Sequence, residues 1–316
     1  MHPKSKQHLT VWHTSRQGTD IVKGTMMLTG AAMGFGLSPM LAQMLLQQGM
    51  SPEVVALYRF AIPALLVLPC VRVFKDQSAE AMRTVALGAF AALGMLAFLY
   101  SFTWLPATTV ILTYYTYPLF ALAIGWALFG HGLTRNWLIS AALILLAVLI
   151  LQGPLSQQEL PIEVLCLGFV APASYALLIN YLSSPVRHLK TGERMSTCLA
   201  GHLAVLVPLT FWQAPEIVLP QSEAQLWLLL SIGLLASALP QYLFARGAVL
   251  AGMERTTMIS TSEIVFALLF SVLLLNSEIS RLEIIASTLI LISGLIRLEP
   301  RDDELFSNPR ISHSGV

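Results

Sequence analysis

Charge is what this sequence has least of. Only 11% of its 316 residues are Asp, Glu, Lys or Arg, about half the share in an ordinary soluble domain. The two signs nearly cancel, 18 basic against 17 acidic, so there is no basic surface of the kind nucleic acid needs. Cysteine is scarce as well. Cys70, Cys166 and Cys198 stand singly, without CxxC or Cys/His spacing, which argues against a structural metal or a disulfide framework. HExxH, GxSxG and a P-loop are absent, so the chain is expected to be neither an enzyme nor an ATP-driven pump, and no cofactor is implied. Residues 1–23 have no apolar core of signal-peptide length and read as a cytoplasmic tail.

Long apolar runs fill the rest. Hydrophobic residues make up 56% of the chain and its mean hydropathy is +0.71. A helix needs about 20 apolar residues to cross the hydrocarbon layer. On that rule spans fall at 24–47, 53–72, 83–103, 107–129, 136–152, 162–182, 196–213, 224–246, 256–275 and 282–298. Connections as short as 48–52 and 105–106 force antiparallel neighbours. The fold class is therefore expected to be an all-α integral membrane protein with ten transmembrane helices. With both termini cytoplasmic, nearly every Lys and Arg collects inside, as the positive-inside rule requires. Arg281 alone falls outside, and Arg59 lies within a span. The expected location is the plasma (inner) membrane.

The chain also repeats itself. Displaced by 146 residues, 105–151 lies on 251–297 without a gap. Phe120-Ala121-Leu122 meets Phe266-Ala267-Leu268, Leu143-Ile144-Leu145 meets Leu289-Ile290-Leu291, and Arg135 meets Arg281. Two five-helix units follow, 24–152 and 162–298, with a linker at 153–161 and a cytoplasmic tail at 299–316. Five is odd, so the second unit enters the membrane upside down. Inverted repeats are common in secondary transporters, which hold solute near mid-membrane between the halves.

The segment TWLPATTVILTYYTYPLFALAIGWALFGHGLT (103–134) resembles the end of an EamA domain, and AGMERTTMISTSEIVFALLFSVLLLNSEIS (251–280) resembles the matching part of a second. ALYRF around Arg59 and SALPQYLFARGAVLAG (237–252) extend the likeness over nearly the whole chain. The chain thus looks like a ten-helix member of the drug/metabolite transporter superfamily, which implies transport of amino acids, nucleobases or drug-like solutes. It departs from the family pattern at His131, where an acidic residue is usual. Glu278 lies one position late, and Ile264 replaces a proline after Glu263.

Ionisable groups within lipid are functional suspects, because burying them is costly. Glu263 leads, suited to a cationic group or a coupling proton. Thr256, Ser260 and Glu263 share one helical face at i, i+4 and i+7. The counterparts of Ser260 and Glu263 in the first copy are Tyr114 and Tyr117, so the two stripes are expected to face one cavity. Arg59 reads either as a carboxylate clamp or as a snorkelling anchor. Helical rise sets it roughly 8 Å from Glu263 in depth. Asn180, His202 and Gln241, with Ser237 one turn before Gln241, complete the candidates for contact with solute. Gly30 and Gly34 form a GxxxG that suits close helix packing.

The expected function is therefore a secondary transporter, an exporter by the resemblance, working by alternating access with proton or exchange coupling. Its partners are a small-molecule solute and the lipid bilayer, with no nucleic acid and with room for a homodimer. The alternative is a membrane scaffold or receptor built on the same fold.

Overall fold

The structure is a computed structural model and describes residues 5–67, 78–129, 135–155, 162–183, 189, 191–213, 219–251 and 253–296. Among them the ordered elements are all helices. Helix α1 (Ser5–Gln47) is followed by α2 (Pro52–Val67), α3 (Ser78–Ser101), α4 (Ala107–Tyr114), α5 (Tyr117–Phe129) and α6 (Arg135–Leu155). The remainder are α7 (Ile162–Ser183), α8 (Thr191–Gln213), α9 (Glu223–Gly233), α10 (Leu239–Ala251), α11 (Met253–Ser260), α12 (Glu263–Leu275) and α13 (Arg281–Ile296). Among the described residues, five segments are long and apolar enough to cross a membrane: Thr19–Gln47, Ala79–Ser101, Ala107–Leu128, Gly192–Gln213 and Glu223–Ala251. Shorter apolar helices lie at Arg135–Ile150, Cys166–Tyr181 and Glu263–Leu275.

Three features differ from the sequence expectation. Helix α1 begins at Ser5, so most of the segment expected to be a tail has a helical backbone; no proline interrupts it before Pro39. The span 107–129 is divided after Tyr114, and the span 256–275 after Ser260. Within 224–246 a π-turn, Leu234–Ala238, joins α9 to α10. His131 and the tail 299–316 lie outside the described residues.

The two divided spans break at matching places. Helices α4 and α11 are each 8 residues long, and α5 and α12 are each 13. Each second-copy helix begins 146 residues after its counterpart. At both breaks a hydroxyl residue turns back on the chain. Thr116 Oγ1 donates to the Thr113 carbonyl at 2.7 Å, and Ser262 Oγ donates to the Ile259 carbonyl at 2.6 Å. The backbone N–H of each joins the same carbonyl, at 3.1 and 3.0 Å, which tightens the last turn into a stop. In the first copy Pro118 also removes a donor that α4 would need to run on. Helix α12 stops at Asn276, whose φ of +49° is left-handed, and the N–H of Ser277 after it returns to the Ser271 carbonyl at 3.3 Å.

Pairing of the helices fixes direction. Ser140, near the start of α6, donates to the carbonyl of Ser293, near the end of α13, at 2.7 Å. The two helices therefore run antiparallel, and Arg135 and Arg281 open them at opposite ends of the molecule. Helix α1 lies against α10 through the GxxxG glycines. A Cβ on Gly34 would sit 2.2 Å from Pro240 Cγ and 2.7 Å from the Leu235 carbonyl, while one on Gly30 would meet Leu243 Cδ1 at 3.3 Å. Packing is thus the role of this pair.

Apolar side chains close the Arg281 end. Leu45, Val54, Val55, Leu99, Leu206, Leu229 and Ile232 are buried there in one cluster. Three polar links reinforce it. The buried Glu53 accepts a hydrogen bond from Tyr100, Gln225 donates to the Gln48 carbonyl at 3.2 Å, and Thr108 donates to Glu283.

Candidate functional site

A cavity of about 460 Å³ begins beneath that closed end and extends toward the Arg135 end. Its floor lies where the broken helices meet α2 and α7. Helix α2 contributes Arg59, the last turn of α4 contributes Tyr114, and Tyr115 follows it at the break. Helix α12 contributes Glu263 from its first turn, where the positive end of the helix dipole favours negative charge. Helix α7 adds Tyr175, and α8 adds His202. Ser237 in the π-turn and Gln241 in α10 form the facing wall.

Both ionisable residues of the floor are held by neutral hydroxyls. Arg59 donates to Ser38 of α1. The Tyr115 hydroxyl donates to the Glu263 carboxylate. The two side chains are within electrostatic reach of one another and of Tyr114 and Tyr175. The depth difference expected from helical rise thus does not keep them in separate compartments: both side chains open on one cavity. Gly36 is what lets α12 come so close to α1, since a Cβ there would lie 2.9 Å from the Glu263 carbonyl oxygen.

Aromatic rings gather beside the floor. Tyr114 and Tyr175 lie 5.5 Å apart at 31°, and Phe98 is 5.1 Å from Tyr114. The ring of His202 lies 4.0 Å from Phe60, and its Nδ1 donates to the Cys198 carbonyl at 2.8 Å. A carbonyl only accepts, so the neutral imidazole is left with Nε2 as an acceptor. Ser237 is 2% exposed and, among the described residues, its hydroxyl has no hydrogen-bond partner. A buried orphan hydroxyl that lines a cavity, carried on a π-turn, is suited to a bound molecule. At the far mouth Arg194 donates to the Tyr181 carbonyl at 2.6 Å, with its guanidinium 5.2 Å from the Tyr181 ring centre.

Six of the residues expected from the sequence therefore come together: Glu263, Arg59, Tyr114, His202, Ser237 and Gln241. Three do not line the cavity. Tyr117 stands behind it, edge-on to Tyr175 at 5.0 Å. Ser260 spends its hydroxyl on the Thr256 carbonyl at 2.6 Å, because the break between Ser260 and Glu263 interrupts the helical face they were expected to share. Asn180 ties α7 to α5, donating to the carbonyls of Ala121 at 3.0 Å and Ala176 at 2.9 Å. Sequence reasoning missed Tyr115 and Tyr175. The repeat pairs Tyr115 with the polar Thr261, and that pairing was the one available signal. Nothing in the sequence marks Tyr175.

Comparison with known proteins agrees with this architecture. The model of the EamA-like transporter family matches residues 22–152 and 162–297. No curated protein matches the sequence. A crystal structure of 14% identity shares the fold, with a TM-score of 0.54, over 89% of this chain and 96% of that one.

Proposed function

Since the chain belongs to the EamA-like transporter family, we propose that it is a secondary transporter of small solutes that works by alternating access. In this reading ten membrane crossings form two inverted five-helix repeats, with solute held at the meeting of the two broken spans. The observation that carries it is the placement of Arg59 and Glu263 on the floor of one cavity, beside breaks at equivalent positions of the two copies. Discontinuous helices at corresponding places in inverted halves mark the solute sites of many secondary transporters. The antiparallel run of α6 and α13 supports the inversion, because it sets Arg135 and Arg281 at opposite ends.

The cavity extends toward the Arg135 end while the Arg281 end is closed. Under the positive-inside rule the Arg135 end is cytoplasmic, so this conformation is open inward, the state from which an exporter loads.

Flux tests the reading. The purified protein in liposomes, loaded in turn with radiolabelled amino acids, nucleobases and cationic drugs, should show saturable exchange with at least one class. That exchange should disappear in Glu263→Gln. Absence of flux across the whole panel would leave a scaffold or receptor as the better description.

A further inference from the structure

A single inserted residue separates the third spans of the two copies. Before the middle of the span they stand 145 residues apart: Ala79, Glu80, Leu87 and Gly88 meet Ala224, Gln225, Ile232 and Gly233. Beyond it the offset is 146, and Leu93 meets Leu239 while Phe98 meets Phe244. That register holds in space, since Met95 and Phe98 line the cavity from α3 as Gln241 and Phe244 do from α10. The extra residue falls in the π-turn Leu234–Ala238, where the Leu239 N–H reaches back five residues to the Leu234 carbonyl. Helix α3 runs through the same level unbroken. A π-turn is a point at which a helix bends, so the second copy has a joint that the first lacks.

Packing differs across that joint. Below it, α10 is held to α1 backbone on backbone: a Cβ on Gly24 would lie 2.7 Å from the Ala251 nitrogen, and one on Gly247 3.0 Å from the Gly24 carbonyl oxygen. Helix α3 is bound to α8 in the same way. A Cβ on Gly88 would lie 2.1 Å from the Cys198 carbonyl oxygen, and one on Gly201 2.0 Å from that of Val85. Gly233, in the place of Gly88, meets a side chain instead: a Cβ there would lie 2.3 Å from Ile62 Cδ1. A side chain yields by changing rotamer, whereas two close-packed backbones do not. Above the joint, α9 adds Leu229 and Ile232 to the cluster that closes the Arg281 end, and Gln225 ties it to the Gln48 carbonyl at 3.2 Å. Its 11 residues thus cover the cavity through side-chain contacts and hang from the π-turn. Ala236 and Ser237 of that turn line the cavity, so the joint itself meets whatever the cavity holds.

Building on the transport reading above, we propose that α9 is the lid of the Arg281 end and swings on the π-turn, while α3, bound to α8, stays in place. The two inverted halves then do not move alike. Opening this end bends the third span of the second copy and leaves its counterpart in the first copy straight.

Three exposed tryptophans at this end give the probe positions: Trp227 on α9, Trp212 near the end of α8 and Trp104 just past α3. Cysteines replacing Trp227 and Trp212, or Trp104 and Trp212, carry spin labels on the whole protein in lipid nanodiscs, in a background without Cys70, Cys166 and Cys198. Double electron–electron resonance should find a second, longer distance for the α9–α8 pair and a single distance for the α3–α8 pair. Gln225→Ala removes the tie to Gln48 and should raise the share of the longer distance about fivefold, the effect of one neutral hydrogen bond. Deletion of Leu235, half exposed in the π-turn, gives the second copy the register of α3 and should leave the shorter distance alone. A single α9–α8 distance in both the parent and Gln225→Ala overturns the proposal, whether or not the deletion variant folds. Equal movement of the two pairs overturns it too, because that is symmetric rocking. Liposome flux separates this from the transport reading. Flux with α9 stationary removes the lid and keeps the transporter, and a moving α9 without flux of any solute in the panel does the reverse.

Discussion

Thr116 and Ser262 stand 146 residues apart, and each bends its hydroxyl back onto the carbonyl three residues before it. The two contacts end α4 and α11 at equivalent points of the two copies. Each break frees a helix start beneath the closed end: α5 at Tyr117 and α12 at Glu263. A continuous ninth span would carry Glu263 as one more residue in a helix interior. The break instead places it in a first turn, where the helix dipole offsets part of the cost of negative charge.

The second break should be the more fragile. The first is backed by Pro118, whereas Ile264 occupies the matching position in the second copy. Ser262→Ala removes a hydrogen bond worth about 1 kcal/mol and should lower solute affinity roughly fivefold by letting Glu263 shift. Thr116→Val should change it little. Equal effects in binding assays of the two variants would argue against proline as the second lock.

Much of this arrangement was legible in the residues themselves. Arg135 on Arg281 and the Phe-Ala-Leu triplets gave the repeat offset, and the same offset relates the helix breaks residue for residue. The breaks were hidden because hydropathy averages over a whole span: 107–129 and 256–275 are apolar enough to read as continuous, and a single Thr or Ser inside them looks ordinary. Glu263 and Arg59 were visible because charge in lipid is rare. Tyr115 and Tyr175 were not, since a tyrosine in an apolar run is as often packing as site. Asn180 was visible as a polar residue within a span; its amide bonds a carbonyl of α5 and one of its own helix, a use of amide side chains that polarity alone cannot separate from solute contact.

Tyr115 should matter through its hydroxyl. Tyr115→Phe keeps the ring, which is buried against Ile111, Leu112 and Ile264, and removes only the donor to Glu263. A hydrogen bond to a charged group contributes about 1.5–3 kcal/mol. Isothermal titration should therefore show binding weakened by about tenfold or more, with the melting temperature little changed. Binding within twofold of the parent would remove Tyr115 from the site.

The orphan hydroxyl of Ser237 makes a contrasting case. Ser237→Ala deletes an unpartnered buried hydroxyl, so the empty protein should be unchanged or more stable. Solute affinity should fall, by about fivefold for one neutral hydrogen bond of about 1 kcal/mol. A variant that is both more stable and unaltered in affinity would make the hydroxyl an incidental feature of the π-turn.

The α1–α10 seam tests how packing supports the site. Gly34→Leu drives a side chain into Pro240 and the Leu235 carbonyl. Overpacking of this kind costs about 1–3 kcal/mol, and the melting temperature in nanodiscs should drop accordingly. Because the seam runs beside the π-turn that carries Ser237, affinity should fall as well.

The closed end gives the last test. Glu53 is 2% exposed, and its carboxylate is held by the Tyr100 hydroxyl where α2 meets α3, above buried Leu99. If alternating access is correct, this contact is among those that must part when the Arg281 end opens. Tyr100→Phe keeps the ring but leaves a buried carboxylate short of a donor, at a cost of about 1–3 kcal/mol in the closed state alone. The open state, where water reaches Glu53, pays no such penalty, so the variant should shift the population toward it by roughly fivefold or more. A cysteine replacing Leu99, in a background without Cys70, Cys166 and Cys198, reports that opening through its rate of alkylation by a membrane-impermeant reagent. The rate from the Arg281 side should rise by the same factor in Tyr100→Phe, and added solute should alter it by favouring one state. Unchanged labelling, with the variant folded and still binding solute, would mean that the Glu53–Tyr100 contact survives the transport cycle and that the gate lies elsewhere.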